Sequence, residues 1–244
     1  MTILKKIAFC LLIGAVCVGF VYLNLMVRRG IIALGEEPYP TADIQRIEKH
    51  KRDKLALSHA GDGGVIVCGD SLMGFWLRES PASWEYFMKP LGCMNVATGG
   101  DTVGHLRWRI RDGLFEHAKP SVVVICIGTN NISMDTPPWL VMWGLKNLVA
   151  EMRKIYDESV SFVLIPPFGG EEGSPMFDFR ESMLHADWGK NIIVYPLFKE
   201  LQEGGQVGGD GKYLLDGVHL SALGYERIAA PLARLIAGMK QPAR

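Results

Sequence analysis

Short apolar runs alternate with longer stretches of helical spacing along most of the chain. The apolar runs lie at residues 64–69, 93–96, 121–127, 161–165 and 192–195, and the helical stretches at about 41–57, 103–113, 138–157, 178–187 and 222–239. Apolar runs of this length predict strands that are buried on both faces, as in a parallel sheet. Strands that alternate with helices form βαβ units with right-handed crossovers. We therefore expect a three-layer α/β/α domain.

The N-terminal segment has a different pattern. Residues 7–27 contain no charged side chain, and Lys5-Lys6 and Arg28-Arg29 flank them. These 21 residues are enough to span a bilayer, whereas the apolar region of a cleaved signal peptide is usually only about 7–15 residues long. We therefore expect an uncleaved transmembrane helix, with a cleaved signal peptide as the alternative.

These patterns divide the chain into three predicted parts. Residues 1–29 form a membrane anchor, residues 30–60 a linker and a leading helix capped by Thr41, and residues 61–244 the globular domain. Two basic residues on each side of the anchor nearly balance the positive-inside rule, and we expect a single-pass protein with its domain on the extracytoplasmic (periplasmic or outer) face. Ala15 and Gly19 have a small-xxx-small spacing that suits helix packing, so a homodimer is one assembly that the sequence allows.

Composition excludes several classes of function. The 26 basic and 26 acidic residues cancel, but the anchor holds four of the basic ones and no acid, so residues 31–244 are net acidic. A nucleic-acid-binding surface needs the opposite balance. Cys68, Cys93 and Cys126 lie in or beside predicted strands and are expected to be buried free thiols. The histidines are scattered without metal-ligand spacing, so we expect no metal and no cofactor.

The first apolar run ends abruptly at Gly69-Asp70-Ser71. In open parallel sheets ligands bind outside the carboxyl ends of the strands, so a hydroxyl at this position meets substrate. Ser71 is therefore a candidate nucleophile. The same three residues are also ordinary turn composition, and a catalytic interpretation requires a base, an orienting acid and oxyanion donors elsewhere in the chain.

Asp216 and His219 lie just before the last helical stretch. A turn brings residues three apart together, so Asp216 is able to accept a hydrogen bond from one imidazole nitrogen while the other takes the proton of Ser71. The alternative is a solvated loop before a helix that Ser221 caps.

Two glycine- and asparagine-containing segments follow strand ends. Residues 95–102 include Gly99-Gly100, where a backbone N–H can approach a substrate oxygen closely, and residues 128–131 include Asn130, whose side chain offers an N–H donor. Each segment is also compatible with simple turn chemistry.

Together these segments resemble, in order, the four motif blocks of the GDSL, or SGNH, hydrolases. The blocks are residues 69–72, 95–100, 128–131 and 216–219. The resemblance implies a flavodoxin-like sheet of five parallel strands. It also implies Ser71 as nucleophile, His219 as base and Asp216 as its orienting acid, with oxyanion donors from Ser71 N–H, Gly100 N–H and the Asn130 side chain.

Within this family the chain is most similar to the type represented by the catalytic subunits of platelet-activating-factor acetylhydrolase. The resembling residues are Gly99 to Thr102, His105, Trp108-Arg109, Lys119-Pro120 and Gly224-Tyr225. We therefore expect a membrane-tethered esterase that removes a short acyl group, acetyl above all, from an envelope carbohydrate or a lipid. The alternatives are a lysophospholipase or thioesterase, an O-acyltransferase with the same triad, and a scaffold without activity.

Overall fold

The computed structural model describes residues 3–203, 206–207 and 211–240. Five parallel strands form the central sheet: β1 (Val65–Gly69), β2 (Cys93–Asn95), β3 (Val122–Cys126), β4 (Ser161–Leu164) and β5 (Ile192–Val194). Their order across the sheet is β2-β1-β3-β4-β5, and the two-residue strands β6 (Gln202–Glu203) and β7 (Gln206–Val207) form a separate antiparallel pair. The predicted five-stranded parallel sheet is confirmed.

Helices cover both faces of the sheet. The longer ones are α1 (Ile3–Leu34), α2 (Ile44–Ser58), α6 (Val103–Arg111), α8 (Pro138–Ile155), α9 (Pro175–His185) and α10 (Ala222–Met239), and α7 (Thr129–Ser133) is a single turn. Alternate residues of β3 belong to two separate apolar cores. Val123 and Ile125 pack with α6, α8 and α9, whereas Val124 and Cys126 pack with α10. This alternation produces the three layers.

The segment between β1 and β2 folds into short turns that the sequence pattern did not predict. They are α3 (Ser71–Gly74), α4 (Trp76–Glu79), α5 (Pro81–Ser83), a π-helical segment (Trp84–Met88) and a 3₁₀ turn (Lys89–Leu91). The buried indoles of Trp76 and Trp84 pack edge to face, with ring centroids 5.4 Å apart. Aromatic packing, rather than helical periodicity, therefore organises this segment.

Two helix boundaries differ from their predicted positions. α9 begins at Pro175 because the Ser174 hydroxyl accepts a hydrogen bond from the N–H of Phe177, and proline suits the first turn of a helix. α2 is capped by Asp43, whose carboxylate accepts from the N–H of Arg46 at 3.2 Å, and not by Thr41.

The N-terminal helix α1 is longer than the predicted anchor and continues through residues 30–34. The stretch Cys10–Arg28 has a mean hydropathy of 2.4 and none of it is buried. By length and composition this stretch is able to cross a membrane, and a signal sequence near the N-terminus would have the same properties.

After α1 the chain lies against α6 and does not extend freely as a linker. We call residues 35–46 the docked segment. The N–H of Glu37 donates to the carbonyl of Gly104 at 3.1 Å, and the guanidinium of Arg107 donates to the carbonyl of Gly35 at 3.4 Å. Tyr39 is buried, with only 5% of its surface exposed. The docked segment is therefore part of the folded domain.

The cysteine predictions are confirmed. Cys68, Cys93 and Cys126 are buried and free, whereas Cys10 and Cys17 are exposed on α1. Burial raises the pKa of the Cys68 and Cys93 thiols to about 12, and it raises the pKa of Cys126 well above its usual value.

Candidate active site

The turn after β1 places Ser71 at the carboxyl edge of the sheet. Gly69 has φ +135°, and a Cβ at this position would overlap the carbonyl oxygen of Cys126, so only glycine fits. Asp70 then caps α3 by accepting a hydrogen bond from the N–H of Leu72 at 3.0 Å. Ser71, the first residue of α3, is 5% exposed.

A chain of hydrogen bonds links the three residues predicted as a triad. The Oγ of Ser71 lies 2.9 Å from Nε2 of His219, and Nδ1 of His219 lies 2.7 Å from Oδ2 of Asp216. Serine and histidine are 148 residues apart in the sequence. The structure thus brings together the end of β1 and the turn before α10.

A tight loop fixes the relative position of Asp216 and His219. Leu214 and Leu220 form an antiparallel bridge across it, and Oδ1 of Asp216 accepts from the N–H groups of Val218 at 3.0 Å and His219 at 2.7 Å. The hydrogen bonds from the backbone and then the imidazole of His219 lower the pKa of Asp216 to about 2. An ionised carboxylate only accepts, so the His219 proton lies on Nδ1 and Nε2 is free to accept from Ser71.

The predicted oxyanion donors converge on the same place. Gly100 has φ +78°, and a Cβ built on Gly99 would lie 3.9 Å from the Cβ of Ser71, so this loop passes directly beside the serine. Within the described part of the chain, the N–H groups of Ser71 and Gly100 have no acceptor. Nδ2 of Asn130 donates to the carbonyl oxygen of Asp101 at 2.9 Å, which ties α7 to the glycine loop and leaves its second N–H available.

A buried cluster of charged side chains fixes the loop that contains Gly99 and Gly100. The carboxylate of Asp101, which directly follows Gly100, accepts from Tyr39 at 2.8 Å, Arg46 at 2.5 Å and Arg109 at 3.1 Å. Arg109 has no exposed surface and also donates to Asp53 at 2.6 Å. The loop is therefore fixed by α2, α6 and the docked segment.

Asp70 is a buried acid beside the candidate nucleophile. It has no exposed surface, and burial raises its pKa to about 7 despite the hydrogen bond from the N–H of Leu72. Asp70 and Asp216 therefore have opposite pKa shifts within one site, since one is buried and the other lies in an open, hydrogen-bonded turn.

Phe75 is a candidate site residue that sequence reasoning missed. Its ring stacks on the imidazole of His219, with centroids 5.2 Å apart and an angle of 27° between the planes. The guanidinium carbon of Arg78 lies 4.0 Å from the centroid of the same ring. The available signal was spacing, because Phe75 follows Ser71 by four residues, one helical turn.

A groove of about 490 Å³ lies next to the site, and its lining includes Leu72 but none of Ser71, Asn130 and His219. Leu72, Thr129 and Val218, each a chain neighbour of a predicted site residue, contribute to its wall. The rest of the lining is Ile132, Ser133, Asp135, the loop Pro167 to Glu171, and Ser174 to Met176 at the start of α9. Trp139 and Trp143 lie outside this lining and are 66% and 55% exposed.

Other titratable side chains serve the fold. Nε2 of His50 lies 2.9 Å from a carboxylate oxygen of Asp112, and His105 accepts from the N–H of Thr102 at the start of α6. Among the described residues, no group of three or more His, Cys, Asp or Glu side chains is placed to hold a metal ion.

Comparisons with known proteins cover the same part of the chain. The model of the GDSL-like lipase/acylhydrolase family matches residues 67–227. The chain is 29% identical over 209 residues to the alpha1 subunit of platelet-activating factor acetylhydrolase IB from Rattus norvegicus, covering 82% of this chain and 88% of that protein. The human alpha2 subunit is 28% identical over 211 residues, with the same coverage. A GDSL-like lipase from Bacteroides thetaiotaomicron superposes with a TM-score of 0.58 at 18% identity, covering 78% of this chain and 97% of that chain.

Proposed function

Because the chain belongs to the GDSL-like lipase/acylhydrolase family, we propose that it is a membrane-tethered serine esterase that hydrolyses short-chain acyl esters of an envelope carbohydrate or a lipid. Family membership makes it a carboxylic ester hydrolase. The hydrogen-bond chain from Ser71 through His219 to Asp216 is the observation that carries the serine mechanism. The acetylhydrolase names of its relatives support acetyl as the acyl group.

In the first half-reaction the Oγ of Ser71 attacks the ester carbonyl carbon while Nε2 of His219 takes the hydroxyl proton. The resulting oxyanion accepts hydrogen bonds from the N–H groups of Ser71 and Gly100 and from Nδ2 of Asn130. The bond to the alkoxy oxygen breaks, and His219 returns its proton to the departing alcohol. An acyl ester on Ser71 remains.

In the second half-reaction water replaces the alcohol. His219 takes a proton from the water, whose oxygen attacks the acyl carbon, and the same three donors hold the new oxyanion. Ser71 leaves and regains the proton, and the carboxylic acid is released. Asp216 stays ionised throughout and orients the imidazole, as its lowered pKa favours.

Covalent labelling tests the serine assignment. A small fluorophosphonate probe should label the wild-type protein and Ser133→Ala, which changes an exposed serine on the groove wall, but not Ser71→Ala. Equal labelling of Ser71→Ala and the wild type would overturn the mechanism.

The size of the groove favours a second candidate, an esterase or thioesterase for longer acyl chains. Its volume of about 490 Å³ is far larger than an acetyl group, which is roughly the size of two water molecules at about 30 Å³ each. Hydrolysis rates on a series of p-nitrophenyl esters separate the two candidates. A maximum at two carbons supports the acetylesterase, and a maximum at eight or more supports the second candidate.

We further propose that α1 is the anchor and that the domain lies on the extracytoplasmic side. The uncharged stretch with its basic flanks supports insertion. The protein should stay with membranes after alkaline carbonate washing. In spheroplasts, added protease should digest the domain, and protection of the domain would reverse the proposed orientation.

A further inference from the structure

The helix α1 is fixed to the domain near the active-site edge. It packs against α6 and α8 and also reaches α7, the short helix that carries Asn130. Directly after α1, the carbonyl of Gly35 accepts from Arg107 in the middle of α6. The end of α1 therefore lies beside the middle of α6, and α1 also contacts α7, which follows the carboxyl end of β3 at the same sheet edge as Ser71.

Exposed apolar side chains lie on or next to elements that α1 contacts. They are Met134, which follows α7, and Trp139 and Trp143, which are one turn apart on α8. These side chains are 50%, 66% and 55% exposed. We call these three residues the tryptophan face. Two large indoles on one open helix face are unusual for a solvated surface and indicate a binding partner.

The partner that fits this surface is a lipid bilayer. Tryptophan is enriched where membranes meet water, because its ring is apolar and its N–H still finds a hydrogen-bond partner. The apolar stretch of α1 is wholly unburied and leaves the domain beside the same helices, so a bilayer around α1 would also meet the tryptophan face.

We propose that the tryptophan face rests in the headgroup region of the membrane and that the groove next to the site opens toward it, so that the enzyme takes its ester from the lipid phase. Ile132, Ser133 and Asp135 line the groove and flank Met134 on both sides, which joins the groove to this face. The inference rests on the proposed esterase function and on the proposed anchoring of α1, and it selects a lipid ester over a soluble carbohydrate.

Fluorescence quenching by lipid tests this placement. The full chain is reconstituted into phosphatidylcholine vesicles with or without brominated acyl chains. The brominated acyl chains should quench part of the tryptophan fluorescence of the wild type. In the double variant Trp139→Gln/Trp143→Gln, the bromine-quenched part of the fluorescence should be absent. Tyr86→Gln is the matched control, because Tyr86 is 76% exposed in the segment that packs against α10, in the opposite layer, and should behave as the wild type.

Two activity measurements accompany the quenching. Hydrolysis of p-nitrophenyl acetate should be the same in all variants, whereas hydrolysis of an acyl lipid in the vesicles should fall severalfold only in Trp139→Gln/Trp143→Gln. Equal quenching of the double variant and the wild type would overturn the placement. If the wild type does not hydrolyse p-nitrophenyl acetate, the proposed function fails, whatever the quenching shows. If the double variant loses this activity, the two single substitutions provide the same comparison.

Discussion

The side-chain amide of Asn130 has two N–H groups, and one of them already donates to the carbonyl of Asp101. That bond orients the amide and leaves the second N–H for a substrate oxygen. Gly100 contributes its N–H from the loop that Asp101 anchors. At the scale of single residues, the two proposed oxyanion donors are therefore linked through Asp101, and we expect the removal of one to disturb both the charge stabilisation and the loop.

Asn130→Ala should lower kcat by about 10²–10³, the usual cost of removing one oxyanion donor. Steady-state kinetics on p-nitrophenyl acetate measure the change, and circular dichroism checks that the variant is folded. A near-normal kcat in the folded variant would assign the donor to another group.

Asp70 makes stability depend on pH. Its folded pKa of about 7 lies above the unfolded value of about 3.9, so between these limits the folded state holds a proton that the unfolded state has lost. The contribution of Asp70 to the free energy of unfolding therefore falls as pH rises from about 4 to about 7. Asp70→Asn should remove this fall, so in thermal melts of both proteins in detergent the melting temperature of the wild type should fall relative to that of the variant as pH rises across that range. Parallel curves would contradict the assignment.

Sequence patterns predicted the candidate site residues better than the residues that hold them in position. Ser71, Gly100 and Asn130 all follow strands whose carboxyl ends share one sheet edge, so their proximity follows from the parallel topology. Phe75 and the partners of Asp101 gave no comparable signal. The contact between Tyr39 and Asp101 joins residues 62 positions apart, and only the packed fold brings them together.

At the scale of elements, α2, α6 and the docked segment meet at the buried pair Arg109 and Asp101. Both side chains have no exposed surface, so neither charge has access to water if its partner is removed. Arg111, two residues further along α6, is 51% exposed and pairs with Glu151 in partial solvent. One helix thus offers a buried and an exposed arginine for direct comparison.

Arg109→Met should lower the free energy of unfolding by about 3–5 kcal/mol, because it leaves buried carboxylates without their cation. The matched variant Arg111→Met should cost less than about 1 kcal/mol, since exposed ion pairs contribute little. Urea unfolding followed by tryptophan fluorescence measures both. Similar losses in the free energy of unfolding for the two variants would show that water reaches the buried cluster of charged side chains.

The strands and helices with a regular apolar pattern were predicted better than the irregular segments. The five apolar runs became the five strands, and the helices with clear spacing formed within a few residues of their predicted bounds. The short turns between Ser71 and Leu91 were missed because they are held by packing of large aromatic residues rather than by a repeating pattern. The cap at Asp43 was missed because Thr41, two residues earlier, is an equally good capping residue by type.

At the scale of the whole molecule, α1 and the domain are joined by the docked segment rather than by a free tether. The family resemblance and the fold class predicted from sequence are confirmed by the family match and the sheet order. The shape of the groove was not predictable, because loops far apart in the chain build it.

Two truncations separate anchoring from folding. A chain of residues 35–244 should hydrolyse p-nitrophenyl acetate as the full chain does but should sediment with vesicles much less, because only the tryptophan face remains to bind them. A chain of residues 47–244 lacks Tyr39 and Arg46, two of the partners of Asp101, and should melt at a lower temperature with a reduced kcat. Equal melting temperatures would show that the docked segment contributes nothing to the domain.

The distribution of thiols offers a natural reporter of membrane insertion. Cys68, Cys93 and Cys126 are buried, with raised pKa values, and thiolate is the form that reacts with maleimides. Cys10 and Cys17 are the exposed thiols on α1. A water-soluble maleimide should therefore modify the native protein only at α1 in a micelle-free preparation and should modify nothing once a bilayer surrounds that helix.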